Sequence, residues 1–137
     1  MGLTVLDAGV LIGFLDRNDT HHESARRALD GALDRNDRLV VPASALAETL
    51  VGPSRRGADA VATVRRLLER VPIDVAPLDR DVATVAAALR ARHRALKLPN
   101  ALVIATTDTL DADLLVTTDR RWPPRSRLGL RAMIARL

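Results

Sequence analysis

The order of short apolar segments and longer amphipathic segments is the feature that most constrains the fold of this chain. Short runs rich in β-branched and aliphatic residues predict buried strands, and the segments between them repeat apolar residues at helical spacing. Strands that alternate with helices pair in parallel, because each helix carries the chain back across the sheet. The sequence therefore predicts a single α/β domain over residues 1–137, a sandwich with a mainly parallel sheet of four to five strands. The strands are expected at residues 3–6, 39–41, 72–77 and 113–117, with a short edge strand around residues 128–130.

Capping residues predict where several helices begin. Thr20 and Glu23 have the spacing of a capping box, which would open a helix over about residues 21–34. Asp79 or Asp81 is expected to cap the helix that follows the third strand. The prolines on both sides of that strand indicate that it is short and lies near an edge of the sheet.

Further boundaries are predicted in the middle of the chain. Ser44 is a typical N-cap residue and predicts a helix through Leu50. The Gly-Pro-Ser segment at residues 52–54 is expected to break the chain before a second helix over about residues 58–71. Asn100 lies at the start of an apolar helical segment, where an asparagine commonly serves as the N-cap.

The basic residues are almost all arginine and are concentrated near the carboxyl terminus. Twenty of the 21 basic residues are arginine, and residues 115–137 contain six arginines against one acid, Asp119. A guanidinium group binds phosphate well, so such a surface suits a phosphodiester substrate. Composition alone favours a simpler interpretation, a solvated arginine-rich surface. Where nucleic acid is bound, Arg120, Arg121 and Arg125 are the residues expected to contact it.

Several classes of protein are disfavoured by what the sequence lacks. It contains no cysteine, so disulfides and thiolate metal sites are excluded. No apolar run approaches the roughly 18–20 residues that span a bilayer. No basic leader precedes the first apolar stretch, so a signal peptide is not expected. These features lead us to expect a cytoplasmic protein without a membrane partner.

Two acids follow predicted strands and a third lies in a helix. Asp7 ends the first strand, Asp119 follows the fourth, and Glu48 is the lone acid in the otherwise small and apolar first turn of a predicted helix. The carboxyl ends of parallel strands share one edge of the sheet, where ligands bind. Converging carboxylates repel one another unless a cation joins them, and oxygen donors favour Mg²⁺ or Mn²⁺. For Glu48 alone, a stabilising interaction with the helix macrodipole is the simpler explanation.

Four segments, in this order, resemble the PIN-domain nucleases. They are Val-Leu-Asp7, Ala-Leu-Ala-Glu48, Leu-Pro-Asn100-Ala-Leu-Val-Ile-Ala and Leu-Leu-Val-Thr117-Thr-Asp119. The resemblance covers essentially the whole chain, and the short length and basic tail are most similar to VapC-type toxins of bacterial toxin–antitoxin pairs. It implies a PIN-like α/β/α sandwich and a Mg²⁺- or Mn²⁺-dependent endoribonuclease that cleaves RNA, forms a homodimer and is silenced by a cognate antitoxin protein.

The same resemblance implies roles for individual residues. Asp7, Glu48, Asn100 and Asp119 would be the catalytic and metal-ligating residues, and Thr117 would help to hold the site. The family usually has an aspartate where this chain has Asn100, and a neutral amide cannot neutralise a cation. A weakly active natural variant, a non-catalytic paralogue and an engineered inactivation all fit that substitution. The family's hydroxyl-bearing residue after the first aspartate is Ala8 here, which removes one supporting hydrogen bond.

Two other classes of function compete with a nuclease. A binding module could hold RNA or an antitoxin in the same groove without cutting, and would show salt-sensitive RNA binding without any metal-dependent product. A phosphoacceptor signalling domain also places an aspartate after a parallel strand, but that class usually has adjacent acids there. Ala8 and Gly9 offer none, so the phosphoacceptor interpretation is disfavoured.

Overall fold

The sheet at the centre of the molecule has five parallel strands in the order β3-β2-β1-β4-β5. The computed structural model describes residues 2–137, and the predicted α/β fold with a parallel sheet is confirmed. The strands are β1 Leu3–Leu6, β2 Arg38–Pro42, β3 Ile73–Ala76, β4 Leu114–Thr117 and β5 Met133–Arg136. The helices are α1 Ala8–Leu15, α2 His22–Asp34, α3 Ala43–Arg56, α4 Ala58–Arg70, α5 Arg80–Arg92, α6 Leu98–Thr109 and α7 Arg125–Leu128.

The central strands are buried and bring their carboxyl ends together. In β1 and β4, Val5, Leu6, Leu115 and Val116 are at most 1% exposed, as expected for parallel strands covered by helices on both faces. Leu6 lies opposite Val116 in the sheet. The residues that follow β1 and β4 therefore reach the same edge, which is the edge at which ligands bind in open parallel sheets.

Two of the expected helix starts are wrong by one or two residues. Helix α2 begins at His22, and Thr20 does not cap it. The carboxylate of Asp19 instead accepts a hydrogen bond from the backbone N–H of His21 at 2.8 Å, and this local turn replaces the capping box. Helix α3 begins at Ala43 directly after β2, so Ser44 lies inside it and is not the N-cap.

The expected chain break at residues 52–54 does not occur. Helix α3 continues through Pro53 to Arg56 and ends at Gly57, whose φ of 120° lies outside the helical region. A proline inside a helix costs about 3 kcal/mol because a hydrogen bond is lost. Pro53 is buried in the fold and faces the same cavity as Val64 of α4, so tertiary context overrides its low helix propensity.

The later boundaries are partly as expected. Asp79 caps α5, because its carboxylate accepts a hydrogen bond from the N–H of Val82 at 3.0 Å, and β3 lies at an edge of the sheet. Asn100 is not an N-cap: α6 begins two residues earlier at Leu98, with Pro99 in its first turn. Residues 128–130 are not a strand, since α7 ends at Gly129. The fifth strand lies a few residues further on and pairs with β4. Within residues 2–137, no helix is both long and apolar enough to cross a bilayer.

Candidate active site

Asp7 lies at the carboxyl end of β1 and is held by two hydrogen bonds. One carboxylate oxygen accepts from the backbone N–H of Ala8 at 2.8 Å, so Asp7 is the N-cap of α1. The other accepts from the hydroxyl of Thr117 at 2.7 Å. The residue is only 8% exposed, and among the described residues no arginine, lysine or histidine forms an ion pair with it. Asp7 is therefore a fixed, buried carboxylate without a cationic side-chain partner.

Thr117 connects Asp7 to Asp119. Its hydroxyl donates to Asp7 and also accepts a hydrogen bond from the backbone N–H of Asp119 at 3.0 Å. Asp119 in turn accepts from the backbone N–H of Arg121 at 2.8 Å, and the Arg121 guanidinium lies 3.5 Å from the same oxygen. A single threonine at the end of β4 thus holds the carboxylate of Asp7 and the backbone of Asp119.

The charges of the three acids influence one another. Burial raises the pKa of Asp7, the hydrogen bonds from Thr117 and Ala8 oppose that rise, and the charge of Asp119 adds to it. Partial burial, followed by the charge of Asp7, also raises the pKa of Glu48. Glu48 is exposed, so solvent screens its interaction with Asp7. Glu48 is also in the second turn of α3, beyond the reach of the helix macrodipole that could have explained an acid in a first turn.

The structure brings the four expected site residues to one region, but not into one compact cluster. Asn100 and Asp119 line the same cleft, next to the start of α6. Glu48 lines a different cleft, between α1, α3 and α4, and Asp7 interacts electrostatically with acids from both clefts. Over residues 2–137, no three His, Asp or Glu side chains form a group ready to hold a metal ion.

The oxygen donors nevertheless fit a hard divalent cation. Mg²⁺ commonly keeps several waters and binds only one or two protein carboxylates, so a compact cluster of three is not required. A cation at Asp7 would also stabilise the charged form that burial disfavours. Asp7 with Asp119 or Glu48 is a donor set of the kind that Mg²⁺ or Mn²⁺ uses.

A family model for the PIN domain matches residues 4–126. The chain belongs to the PIN domain family. The match includes all four segments on which the resemblance rested, so that resemblance is confirmed. No curated protein matches the sequence of this PIN domain.

Solved structures of similar shape are VapC toxins and their complexes. VapBC2 from Rickettsia felis, bound to a DNA fragment from its promoter, has a TM-score of 0.75 and 14% sequence identity, covering 98% of each chain. DNA-bound VapBC from Salmonella typhimurium has a TM-score of 0.75 and 16% identity, covering 99% of this chain and 98% of that one. The sarcin-ricin loop cleaving toxin VapC20 of Mycobacterium tuberculosis has a TM-score of 0.69 and 16% identity, covering 86% of this chain and 91% of that one. At these identities the likeness establishes a shared fold.

The arginines that the sequence singled out for RNA binding largely support the tail of this PIN domain. Arg120 donates to the backbone carbonyl of Leu137. Arg125 donates to the carbonyls of Leu130 and Arg131. Of the three, only Arg121 lies beside a site carboxylate. The guanidinium group of Arg125 thus holds the chain that leads into β5, and that of Arg120 holds the residue that follows β5.

Sequence reasoning missed two cations next to the site. Lys97 and Arg127 line the cleft that also contains Asn100 and Asp119. Lys97 could have been noticed, because it is the only lysine and lies three residues before Asn100. Nothing in the sequence distinguishes Arg127 from its neighbours, since its position depends on how the tail packs against the start of α6.

Proposed function

We propose that this PIN domain is a metal-dependent endoribonuclease toxin of the VapC type. The observation that carries the proposal is the buried carboxylate of Asp7, which lacks a cationic side-chain partner among residues 2–137. Such a group is costly unless a cation occupies the site. The charge of Asp119 raises the pKa of Asp7 further, and the charge of Asp7 raises the pKa of Glu48. The family, and the VapC toxins of similar fold, support the assignment.

In this proposal the ligands of Mg²⁺ or Mn²⁺ are the carboxylates of Asp7, Asp119 and Glu48. The amide oxygen of Asn100 would be a fourth, uncharged ligand. A divalent ion bound there would lower the pKa of a water and stabilise charge on the phosphate. Thr117 holds the carboxylate of Asp7 and the backbone of Asp119 through its two hydrogen bonds. Glu48 is exposed, so its carboxylate can bind the ion directly or through a water, and in the second case it could accept a proton from the attacking water.

The proposal includes a protein partner that blocks the site. Structures of similar fold from Rickettsia felis and Salmonella typhimurium are VapBC complexes, and we infer a cognate antitoxin for this chain as well. A cleft of about 570 Å³ between α1, α3 and α4 has an apolar part that includes Ile12 and Val64, and its charged lining residues are two acids, Asp16 and Glu48, and one base, Arg56. An antitoxin segment with apolar and basic side chains would complement it. We further propose that the toxin acts as a homodimer in the cytoplasm.

A binding module that does not cleave RNA is the second candidate function. Two observations favour it: an asparagine stands at position 100, and no three-ligand group of acids and histidines exists among residues 2–137. Each missing carboxylate weakens the hold on a divalent cation. Under this alternative the protein would bind RNA or antitoxin but yield no metal-dependent product.

Cleavage assays on purified protein distinguish the two functions. RNA should be cut in MgCl₂ or MnCl₂ and remain intact in EDTA. Glu48→Gln should lower the rate by about 100-fold or more, as expected for loss of a catalytic carboxylate, while Asn100→Asp should raise it. Asp108→Asn is a matched control, because this exposed acid lies about two helical turns from Asn100 on α6. If the folded Asn100→Asp variant is inert with every metal, the nuclease assignment is wrong.

A further inference from the structure

A cleft beside the start of α6 contains Asn100 and Asp119 together with cationic and aromatic side chains that the catalytic proposal does not use. We call it the α6 cleft. Its volume is about 380 Å³, which is within the usual range of about 300–1,000 Å³ for small-molecule sites. The polar and aromatic residues that line it are Lys97, Asn100, Asp119, Arg121, Trp122 and Arg127.

The charges of the α6 cleft favour an anion. Three cationic side chains line it against one carboxylate, and that carboxylate is already paired with Arg121. Lys97 and Arg127 form no ion pair with any residue from 2 to 137, whereas Arg35, Arg38 and Arg131 each do. The N-terminus of α6 also opens here without a side-chain cap, which adds a weak positive field. Two uncompensated cations at a concave site are well placed to bind a phosphate.

The remaining wall of the α6 cleft is apolar and aromatic. Leu96, Trp122 and Pro123 form it. Trp122 is only 5% exposed, and its indole N–H has no hydrogen-bond partner among the described residues. A ligand that combines a phosphate with a flat or sugar-like body would use both the charged and the apolar parts of this cleft.

We propose that the α6 cleft binds one nucleotide of single-stranded RNA, with its phosphate between Lys97 and Arg127 and its sugar or base against the wall that includes Trp122. This inference rests on the proposed function, and it assigns to that reaction a substrate subsite next to the acids. Asp119 lines the cleft and its charge acts on Asp7, so a nucleotide bound there would lie next to the carboxylates of the proposed reaction. The neutral amide of Asn100 suits this role, because an aspartate at that position would repel the phosphate.

Trp122 allows a direct test, because it is the only tryptophan in the chain. All intrinsic tryptophan fluorescence therefore reports on the α6 cleft. We expect titration with a short oligouridylate, in EDTA so that no cleavage occurs, to change the emission of Trp122 saturably. Lys97→Gln and Arg127→Gln should each weaken binding by about threefold to tenfold, and each should reduce the slope of log affinity against log salt by about 0.7.

Matched controls separate this cleft from a generally basic surface. Arg26→Gln and Arg90→Gln remove the same charge from exposed arginines of α2 and α5, and each should change affinity less than twofold. Arg127→Lys keeps the charge and should retain binding to within about threefold. Equal weakening by cleft and control variants would overturn the proposal. So would an emission change caused by an acidic peptide but not by RNA, since the occupant would then be a protein.

The proposed RNA subsite and the proposed nuclease activity can be tested independently of each other. If the oligonucleotide binds as expected in EDTA but no metal supports cleavage, the subsite stands and the catalytic assignment fails. If Glu48→Gln abolishes cleavage while the Lys97 and Arg127 variants leave both the Kd and the KM unchanged, the nuclease stands and the subsite is wrong. Asn100→Asp should weaken metal-free RNA binding, and tighter binding by that variant would also contradict the proposal.

Discussion

At the scale of single residues, Asp7 is where stability and function oppose each other. Its carboxylate is buried without a cationic side-chain partner among residues 2–137, and burial raises its pKa despite the hydrogen bonds from Thr117 and Ala8. A raised pKa means that the charged carboxylate lowers the free energy of unfolding at neutral pH. Groups poised in this way are common at functional sites, where activity is maintained at the expense of stability.

Replacing Asp7 with asparagine should therefore stabilise the metal-free protein. The side chain keeps its shape but loses the buried charge, and we expect a gain on the order of 1 kcal/mol at pH 7, measured by urea unfolding in EDTA. The exposed control Asp108→Asn should change stability by less than about 0.5 kcal/mol. A clear loss of stability in Asp7→Asn would show that the carboxylate is compensated in the folded protein.

The stabilisation by Asp7→Asn should also depend on pH. Above the raised folded pKa the wild-type carboxylate is charged in both states, and its cost is fully present. As pH falls from that pKa towards 3.8, the ordinary pKa of an aspartate in an unfolded chain, the folded protein takes up a proton that the unfolded chain does not. The wild type gains stability over this window, so the advantage of Asp7→Asn should shrink, and below the window it should vanish. An advantage that grows on acidification would contradict a raised pKa.

Thr117 should behave as a positioning residue. Thr117→Val removes a hydroxyl that donates to Asp7 and accepts from the N–H of Asp119. Loss of such buried hydrogen bonds costs about 1–3 kcal/mol, and RNA cleavage should fall because the carboxylate of Asp7 and the backbone of Asp119 lose their support. Thr117→Ser keeps the hydroxyl and should restore the cleavage rate more fully than stability. Equal activity in the valine and serine variants would show that the hydroxyl is not needed.

At the scale of elements, the sequence was most informative where a short apolar run ends on a polar residue. The strands β1 to β4 and the acids Asp7 and Asp119 could be predicted in this way, because burial by helices on both faces demands such runs. Pro53 was misread because its packing against α4, and not its local propensity, decides whether α3 continues. Lys97 and Arg127 were missed because their proximity arises only when the tail packs beside α6.

Two glycines test the extent of α3, because Gly52 lies inside the helix and Gly57 caps its carboxyl end. Gly57 ends α3 with φ of 120° and ψ of 177°, a region that is essentially restricted to glycine, so Gly57→Ala should cost about 1–3 kcal/mol. Gly52 lies within the helix, and an added methyl group would meet only the Arg56 side chain at 3.8 Å. Gly52→Ala should therefore stabilise by about 0.5–1 kcal/mol. Thermal unfolding of both variants checks the expectation, and destabilisation by Gly52→Ala would mean that α3 does not run through this position.

At the scale of the whole molecule, negative charge is gathered at one edge of the sheet within a basic chain. The formal net charge is +4, yet Asp7 and Asp119 follow β1 and β4, and the charge of Asp7 acts on Glu48 of α3. Arg121, Arg127 and Lys97 flank Asp119 along the α6 cleft. An acidic centre beside uncompensated cations suits a phosphodiester backbone that must approach a cation bound by carboxylates.

The most direct measurement of the central claim is a crystal structure of this PIN domain soaked in MnCl₂, with anomalous diffraction to locate the ion. We expect one Mn²⁺ at roughly 2–2.5 Å from a carboxylate oxygen of Asp7, with Glu48 or Asp119 as a further ligand, directly or through water. An ion bound elsewhere, or no ion while Asp7 keeps only Thr117 and Ala8 as partners, would contradict the account.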